Sequence, residues 1–163
     1  MPASLETSLE AYVVVADELV RWGDQDAFGH VNNTVYFRYF ETARIAYFER
    51  IGFVAAAGVG PILASTSARF RRPLRYPDRL RAGARVSSLG EDRLTMEYVV
   101  WSETLDGFAA TGDGSIVAYD YGAGRKCPFP APVREAIVRL QPELDARAVS
   151  GLVETAGRRG PTV

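Results

Sequence analysis

The chain has 163 residues, 47% hydrophobic and 24% charged, with 19 basic against 20 acidic side chains and a formal net charge of -1. That composition suits one globular domain able to bury a core without disulfides or metal, and it supplies no global positive field to hold nucleic acid. Cys127 and His30 are each alone of their type, which excludes an intrachain disulfide, argues against a thiolate or imidazole metal centre, and points to a reducing compartment.

The N-terminus, MPASLETSLEAY, has no basic region followed by an apolar run, so no secretion signal is expected. No apolar stretch approaches the ~20 residues that span a bilayer. The expected location is the cytoplasm, away from membranes.

Residues 1–9 read as a loose lead-in. From Ala11 to Trp22, AYVVVADELVRW opens Val-rich and suits a strand. GDQDAFGH follows as a polar, glycine-containing turn. Asn32 or Asn33 can cap a helix that runs Thr34 to Ile51 and stops at Gly52. Tyr36, Phe40, Ala43 and Tyr47 fall on one face, with Phe37, Arg44, Phe48 and Ile51 on or beside it. Arg38, Glu41, Thr42 and Glu49 supply a narrower polar side. A helix of about 27 Å with so wide an apolar arc needs cover around most of its circumference, and a curved sheet provides it.

GFVAAAGVGP, residues 52–61, is a connection. ILASTSARF, Ile62 to Phe70, reads as a strand, followed by the basic segment RRPLRYPDRLRAG, residues 71–83. A second strand lies within Leu80 to Leu89, and GEDR makes a turn. In LTMEYVVW, Leu94, Met96, Tyr98 and Val100 alternate onto one wholly apolar side expected to face the helix. LDG at 105–107 is a hairpin turn, and Phe108 to Tyr119 returns as a strand whose Gly112 and Gly114 suggest bending or close approach. Pro130 and Pro132 introduce a short helix near Val133–Leu140, and residues 155–163 read as a frayed tail. With no repeat and no linker, the expectation is one α+β domain over 1–163. Its core spans about 11–120, and a C-terminal extension with the short helix spans 121–154.

Two passages carry a resemblance. One is Asp24-Gln25-Asp26-Ala27-Phe28-Gly29-His30-Val31-Asn32-Asn33, followed by Tyr36, Phe40, Glu41 and Ala43-Arg44; the other is ARFRRPLRYPDRL, residues 68–80. With the order of elements, over roughly residues 12–120, these resemble the hotdog-fold acyl-CoA thioesterases of the 4-hydroxybenzoyl-CoA thioesterase-like family. The resemblance implies a curved antiparallel sheet wrapped around a long central helix. It implies hydrolysis of an acyl-CoA, or of a carrier-protein thioester, without metal or organic cofactor. It also implies subunits joined sheet edge to sheet edge as a homodimer, commonly paired again into a homotetramer, with active sites at the subunit boundary.

Carried over residue by residue, the catalytic acid falls on Asp26. A carboxylate there can attack the thioester carbonyl or take a proton from attacking water; it can equally be a turn residue that accepts backbone hydrogen bonds. Gly29 to Val31 lie at the start of the helix, where a backbone N–H is a candidate oxyanion donor. His30 is expected to shape the loop or hydrogen-bond near substrate, leaving the chemistry to the carboxylate. Asn33 can orient water or the thioester oxygen, or simply cap the helix. Asp24 reads as a loop brace. Tyr36 and Phe40 are candidates to line the acyl pocket, or are core. Arg69, Arg71 and Arg72 are candidates for the phosphates of CoA, or are a solvated strand end. Two readings compete with hydrolysis: a hotdog enoyl-CoA hydratase or dehydratase pairing an Asp with a His, and an acyl-group binding protein without turnover.

Overall fold

A computed structural model describes residues 8–54 and 58–145. The expected frayed tail at 155–163, residues 146–154 of the extension, residues 1–7 of the lead-in and residues 55–57 of the connection lie outside the described residues.

The first strand, β1 (Val14–Leu19), is shorter than the sequence suggests. A 3-10 turn, Leu9–Ala11, precedes it and another, Trp22–Asp24, follows it. The long helix α1 (Asn33–Arg50) comes next. Its N-cap is Asn32, whose side-chain oxygen accepts the Thr34 N–H at 3.0 Å. Its C-terminus closes with paired bonds, Gly52 N–H to Glu49 O at 3.2 Å and Phe53 N–H to Phe48 O at 2.9 Å. Gly52 takes the left-handed conformation this ending needs.

Four antiparallel strands follow: β2 (Val59–Phe70), β3 (Arg79–Leu89), β4 (Arg93–Ser102) and β5 (Gly107–Asp120). β2 begins three residues before the expected strand. A two-residue strand, β6 (Arg125–Lys126), pairs with β5 and has no counterpart in the sequence reading. Helix α2 (Ala131–Leu140) comes next, and the described chain continues past it to Asp145.

The strand order is β1-β3-β4-β5-β2, which places β1 and β2 at the two edges. The sheet curls into a half-barrel around α1, the wrapped arrangement that the resemblance implies. Leu94, Met96, Tyr98 and Val100 all join the core, as their alternation requires. From the helix, Tyr36, Tyr39, Phe40, Ala43, Tyr47 and Phe48 join it. Gly112 lets α1 approach: a Cβ there would sit 2.5 Å from the Phe40 ring, so any side chain would push the helix off the sheet. Phe40 stacks on Tyr98 with ring centroids 5.2 Å apart.

At the far end of α1, Gln141 ties three elements together. Its carbonyl accepts the Tyr47 hydroxyl and the Val86 N–H, both at 2.8 Å, and its amide donates to Val86 O at 3.1 Å. Val86 borders the β3 bulge, so the side chain replaces ladder bonds lost there. Among the described residues, no helix is long and apolar enough to cross a membrane.

Candidate active site

The segment between β1 and α1 folds back on itself as a miniature hairpin. Asp26 N–H donates to His30 O, and Asn32 N–H donates to Asp24 O, each at 2.9 Å. Within it Gly29 N–H donates to Asp26 O at 3.0 Å, closing a turn over Ala27 and Phe28. Gly29 has φ 75° and so supplies the left-handed residue that ends such a turn.

Asp24 is a brace. Its Oδ2 accepts the Arg21 N–H at 2.8 Å and the buried Tyr39 hydroxyl at 3.1 Å. Burial, reinforced by the Asp24 carboxylate, pushes the Tyr39 phenol far up, so Tyr39 remains a donor. Asp26 differs. Its Oδ1 accepts the Phe28 N–H at 2.9 Å, while its other oxygen has no partner among the described residues. Asp26 is half-buried at the N-terminal end of α1, with one lone-pair face open.

Of the three candidate oxyanion donors, two are taken. Gly29 N–H is spent within its turn, and Val31 N–H donates to Leu74 O at 2.9 Å. The His30 N–H has no acceptor among the described residues. The Asn33 N–H, at the first helical position, is also without one, and the Asn33 side chain is exposed and uncommitted. The His30 ring is engaged: its Nε2 lies 2.8 Å from Arg75 Nη2. A guanidinium only donates, so Nε2 accepts and the ring proton sits on Nδ1. This Arg75 contact has no signal in the sequence beyond membership of a basic run.

The loop after β2 holds the hairpin from the other side. Leu74 supplies the acceptor for Val31, and its own N–H donates to the Tyr36 hydroxyl at 3.3 Å. Tyr76 N–H donates to the Gln25 side chain at 3.2 Å, and the Tyr76 ring meets Trp22 edge-on at 5.6 Å. Tyr36 and Phe40 are both buried, at 3% and 1% exposure. They are packed as core, with Tyr36 against Phe70 at 5.0 Å.

The candidate phosphate-binding arginines separate. The Arg72 guanidinium grips the β4–β5 hairpin, donating to Phe108 O at 3.2 Å and Leu105 O at 3.1 Å. Arg69 and Arg71 are exposed, and no ion pair holds them among the described residues.

Sequence reasoning passed over Asp78, in the YPD passage that opens β3. It is 7% exposed. It accepts the Ser102 hydroxyl at 2.6 Å, the Thr104 N–H at 3.1 Å and the Thr104 hydroxyl at 2.9 Å. An acid next to a proline turn at the start of a strand was the available signal. Its partners, more than twenty positions away, were not visible. Among the described residues, no group of three or more His, Cys, Asp or Glu side chains is placed to hold a metal ion.

The sequence profile described as the thioesterase-like superfamily matches residues 20–137. A thioesterase from Thermus thermophilus, crystallised with coenzyme A and zinc, is 35% identical with a TM-score of 0.72, covering 81% of this chain and 97% of that one. The PA5185 protein of Pseudomonas aeruginosa is 30% identical with a TM-score of 0.74, covering 81% of this chain and 94% of that one. The uncharacterized protein YsmA of Bacillus subtilis is 33% identical over 89 residues, 54% of this chain and 59% of that protein. The match thus spans less than two thirds of that curated relative.

Proposed function

The chain belongs to the thioesterase-like superfamily and has the fold and sequence of a thioesterase-type hydrolase, and from that premise we propose that it hydrolyses an acyl-CoA thioester to the free carboxylic acid and coenzyme A, with Asp26 as its catalytic acid. The observation that carries this reading is the geometry of the Asp26 turn. One carboxylate oxygen is anchored by the Phe28 N–H and the other is open. Among the described residues the His30 and Asn33 N–H groups have no acceptor, and both lie between this turn and the first turn of α1, its positive end.

In the nucleophilic route the open Asp26 oxygen attacks the carbonyl carbon. Negative charge moves to the carbonyl oxygen, where the two free N–H groups can meet it. Collapse expels CoA thiolate, which takes up a proton, and leaves a mixed anhydride that water hydrolyses to the acid and free Asp26. In the general-base route the same oxygen takes a proton from water as it adds to the carbonyl. His30, held by Arg75 with its proton on Nδ1, presents a fixed loop face. Asn33 is free to orient water or the carbonyl through its amide.

CoA as the leaving group is supported by the Thermus relative, whose structure holds coenzyme A. Arg69 and Arg71, exposed and without an ion pair among the described residues, suit its phosphates; carrier-protein thioesters remain a close variant. We place the enzyme in the cytoplasm, where the lone Cys127 stays reduced. We also propose a homodimer through β2. This edge is twelve residues long against six for β1, and Leu63 to Ser67 are exposed along it. A long open edge is satisfied by symmetric pairing with its copy. Two such dimers pair into the proposed tetramer.

The test is thiol release from short, long and aromatic acyl-CoAs by the wild type and Asp26→Asn side by side, with native mass measured on both. Fast release that disappears in the variant, at unchanged mass, supports the reading. Release that persists removes Asp26 from the chemistry. No release from any member of the panel favours an acyl-binding protein.

A further inference from the structure

α1 packs along β1, β3 and β4 over more of its length than along β2, which it meets at its first turns through Tyr36 and Phe70. The space left between helix and edge strand is a groove of about 260 Å³, lined among others by Thr34, Phe37, Arg38, Glu41, Arg44 and Leu63. The helix residues recur every three or four positions, so they form one stripe along α1. The groove therefore starts at the first helical turn, which follows the Asp26 hairpin in the chain. It runs about 15 Å along the axis to the Cα of Arg44. The Arg44 Nη2 lies 3.9 Å from the Glu41 carboxylate one turn earlier, so the cation sits short of that depth and the groove suits a short or medium acyl chain.

Arg44 is the unusual member. It is only 9% exposed. Its Nη1 is 3.4 Å from the Tyr98 hydroxyl, its Nη2 is 3.9 Å from a half-exposed Glu41 carboxylate, and its guanidinium lies 5.8 Å from the centre of the Tyr98 ring. A guanidinium has five donors, and charge-assisted bonds normally close to about 2.7–2.9 Å. A cation so far out of water with partners this loose is poorly compensated. Arg38 lines the same groove, whose lining carries one carboxylate, Glu41, while Asp113 is near enough to Tyr98 to act on its phenol from the β5 side. Phe37 and Leu63 give the walls an apolar stretch between the mouth and the buried cation. Gly114 lets Tyr98 and Leu63 pack close on β5 at that end: a Cβ there would lie 3.0 Å from the Tyr98 hydroxyl and 3.2 Å from Leu63.

We infer that this groove is the subsite for the far end of the acyl group, and that Arg44 selects acyl groups ending in a carboxylate. The occupant is a thioester of a dicarboxylic acid, its hydrocarbon middle between Phe37 and Leu63 and its free carboxylate on Arg44. This rests on the thioesterase reading and adds the substrate class.

The experiment compares matched pairs: adipoyl-CoA against hexanoyl-CoA, and suberoyl-CoA against octanoyl-CoA. The wild type is expected to favour the carboxylate-ended member of at least one pair by ~10-fold or more in kcat/KM. Arg44→Met is expected to collapse that ratio, mainly through a higher KM for the carboxylate-ended substrate, and Arg44→Lys to restore part of it. A wild type that favours the plain chain in both pairs overturns the inference. So does an Arg44→Met loss shared equally by both members, which marks Arg44 as a core or interface residue. Should Arg44→Met fail to fold, the wild-type ratios still decide.

A thermal-shift titration with adipamate, which has one amide and one carboxylate end, against hexanamide, which has no carboxylate, reads the subsite without turnover. If no thioester is cleaved yet adipamate stabilises the wild type and hexanamide does not, the thioesterase reading falls and the anion subsite stands. If thioesters are cleaved without preference and adipamate has no effect, the subsite falls and the thioesterase reading stands.

Discussion

Two acid-bearing turns lie close to the N-terminal end of α1 and treat their carboxylates oppositely. At the start of β3, Asp78 is buried and its two oxygens accept three donors from the β4–β5 hairpin. In the turn before α1, Asp26 is half-buried, and among the described residues only one of its oxygens is engaged, by a neighbour two residues on. A carboxylate with both oxygens occupied is a fastening: to react it would have to abandon bonds that hold the hairpin. A carboxylate with one oxygen anchored and one open is oriented and still available. Burial alone would favour Asp78 as the reactive acid; the count of partners per oxygen supports the proposed Asp26 instead.

Substitutions can break this contrast. Asp26→Asn removes a charge and a lone-pair face without touching the core, so turnover is expected to fall by at least ~100-fold while the thermal midpoint stays put. Steady-state kinetics and a melt on one preparation check both halves. Wild-type turnover in this variant would transfer the chemistry to another acid, with Asp78 the next to examine.

Asp78→Ala should behave in the reverse sense. It strands the Ser102 hydroxyl and the Thr104 N–H and hydroxyl, and is expected to cost about 2 kcal/mol of stability. Turnover per folded molecule should persist below the melting transition. If denaturant unfolding shows no loss and turnover collapses instead, the fastening account of Asp78 is wrong.

His30→Ala tests the same turn more gently. It removes the ring that Arg75 holds but leaves the backbone N–H in place. The expected loss is about tenfold, well short of Asp26→Asn, since general acid–base groups normally cost more. A loss equal to that of Asp26→Asn would revive the acid–base pair of the hydratase reading.

The smallest effect concerns the brace. Tyr39→Phe deletes one bond to Asp24 and should cost about 1 kcal/mol. Its pH dependence sharpens the test. The Tyr36, Tyr39, Tyr47 and Tyr98 phenols are all pushed up, with burial the largest cause in each. A raised folded value means the folded state keeps its protons when the unfolded chain has begun to lose them. Stability from these groups is therefore full below about pH 10 and falls as pH rises above it. Tyr39→Phe should flatten that alkaline fall. An identical alkaline slope in the two proteins would mean that Tyr39 does not contribute to it.

The elements were legible where one local period dominates. The Tyr36–Phe40–Ala43–Tyr47 spacing and the alternation of Leu94, Met96, Tyr98 and Val100 each describe a surface that must be covered, and the core uses both. β1 was overread, because the apolar opening of AYVVVADELVRW masks turns at both ends. β6 was invisible, since a two-residue strand has no period. Of the candidate site, the Asp26 turn announces itself through Asp, Gly and Asn at turn spacing. The commitments of Gly29, Val31 and Arg72 do not, because each depends on a carbonyl or turn whose position only the folded backbone sets.

The sequence by itself determined that a long, broadly apolar helix would need a curved sheet around it, and that an acid-rich turn would open that helix. Both follow from local periodicity and turn chemistry. Only the tertiary structure decided which N–H groups stay free, which of two acids is saturated, and that Arg44 ends nearly buried beside Tyr98. Those outcomes join residues as far apart as Arg44 and Tyr98, fifty-four positions along the chain. No local pattern encodes such a distance; the wrap of the sheet around α1 sets it.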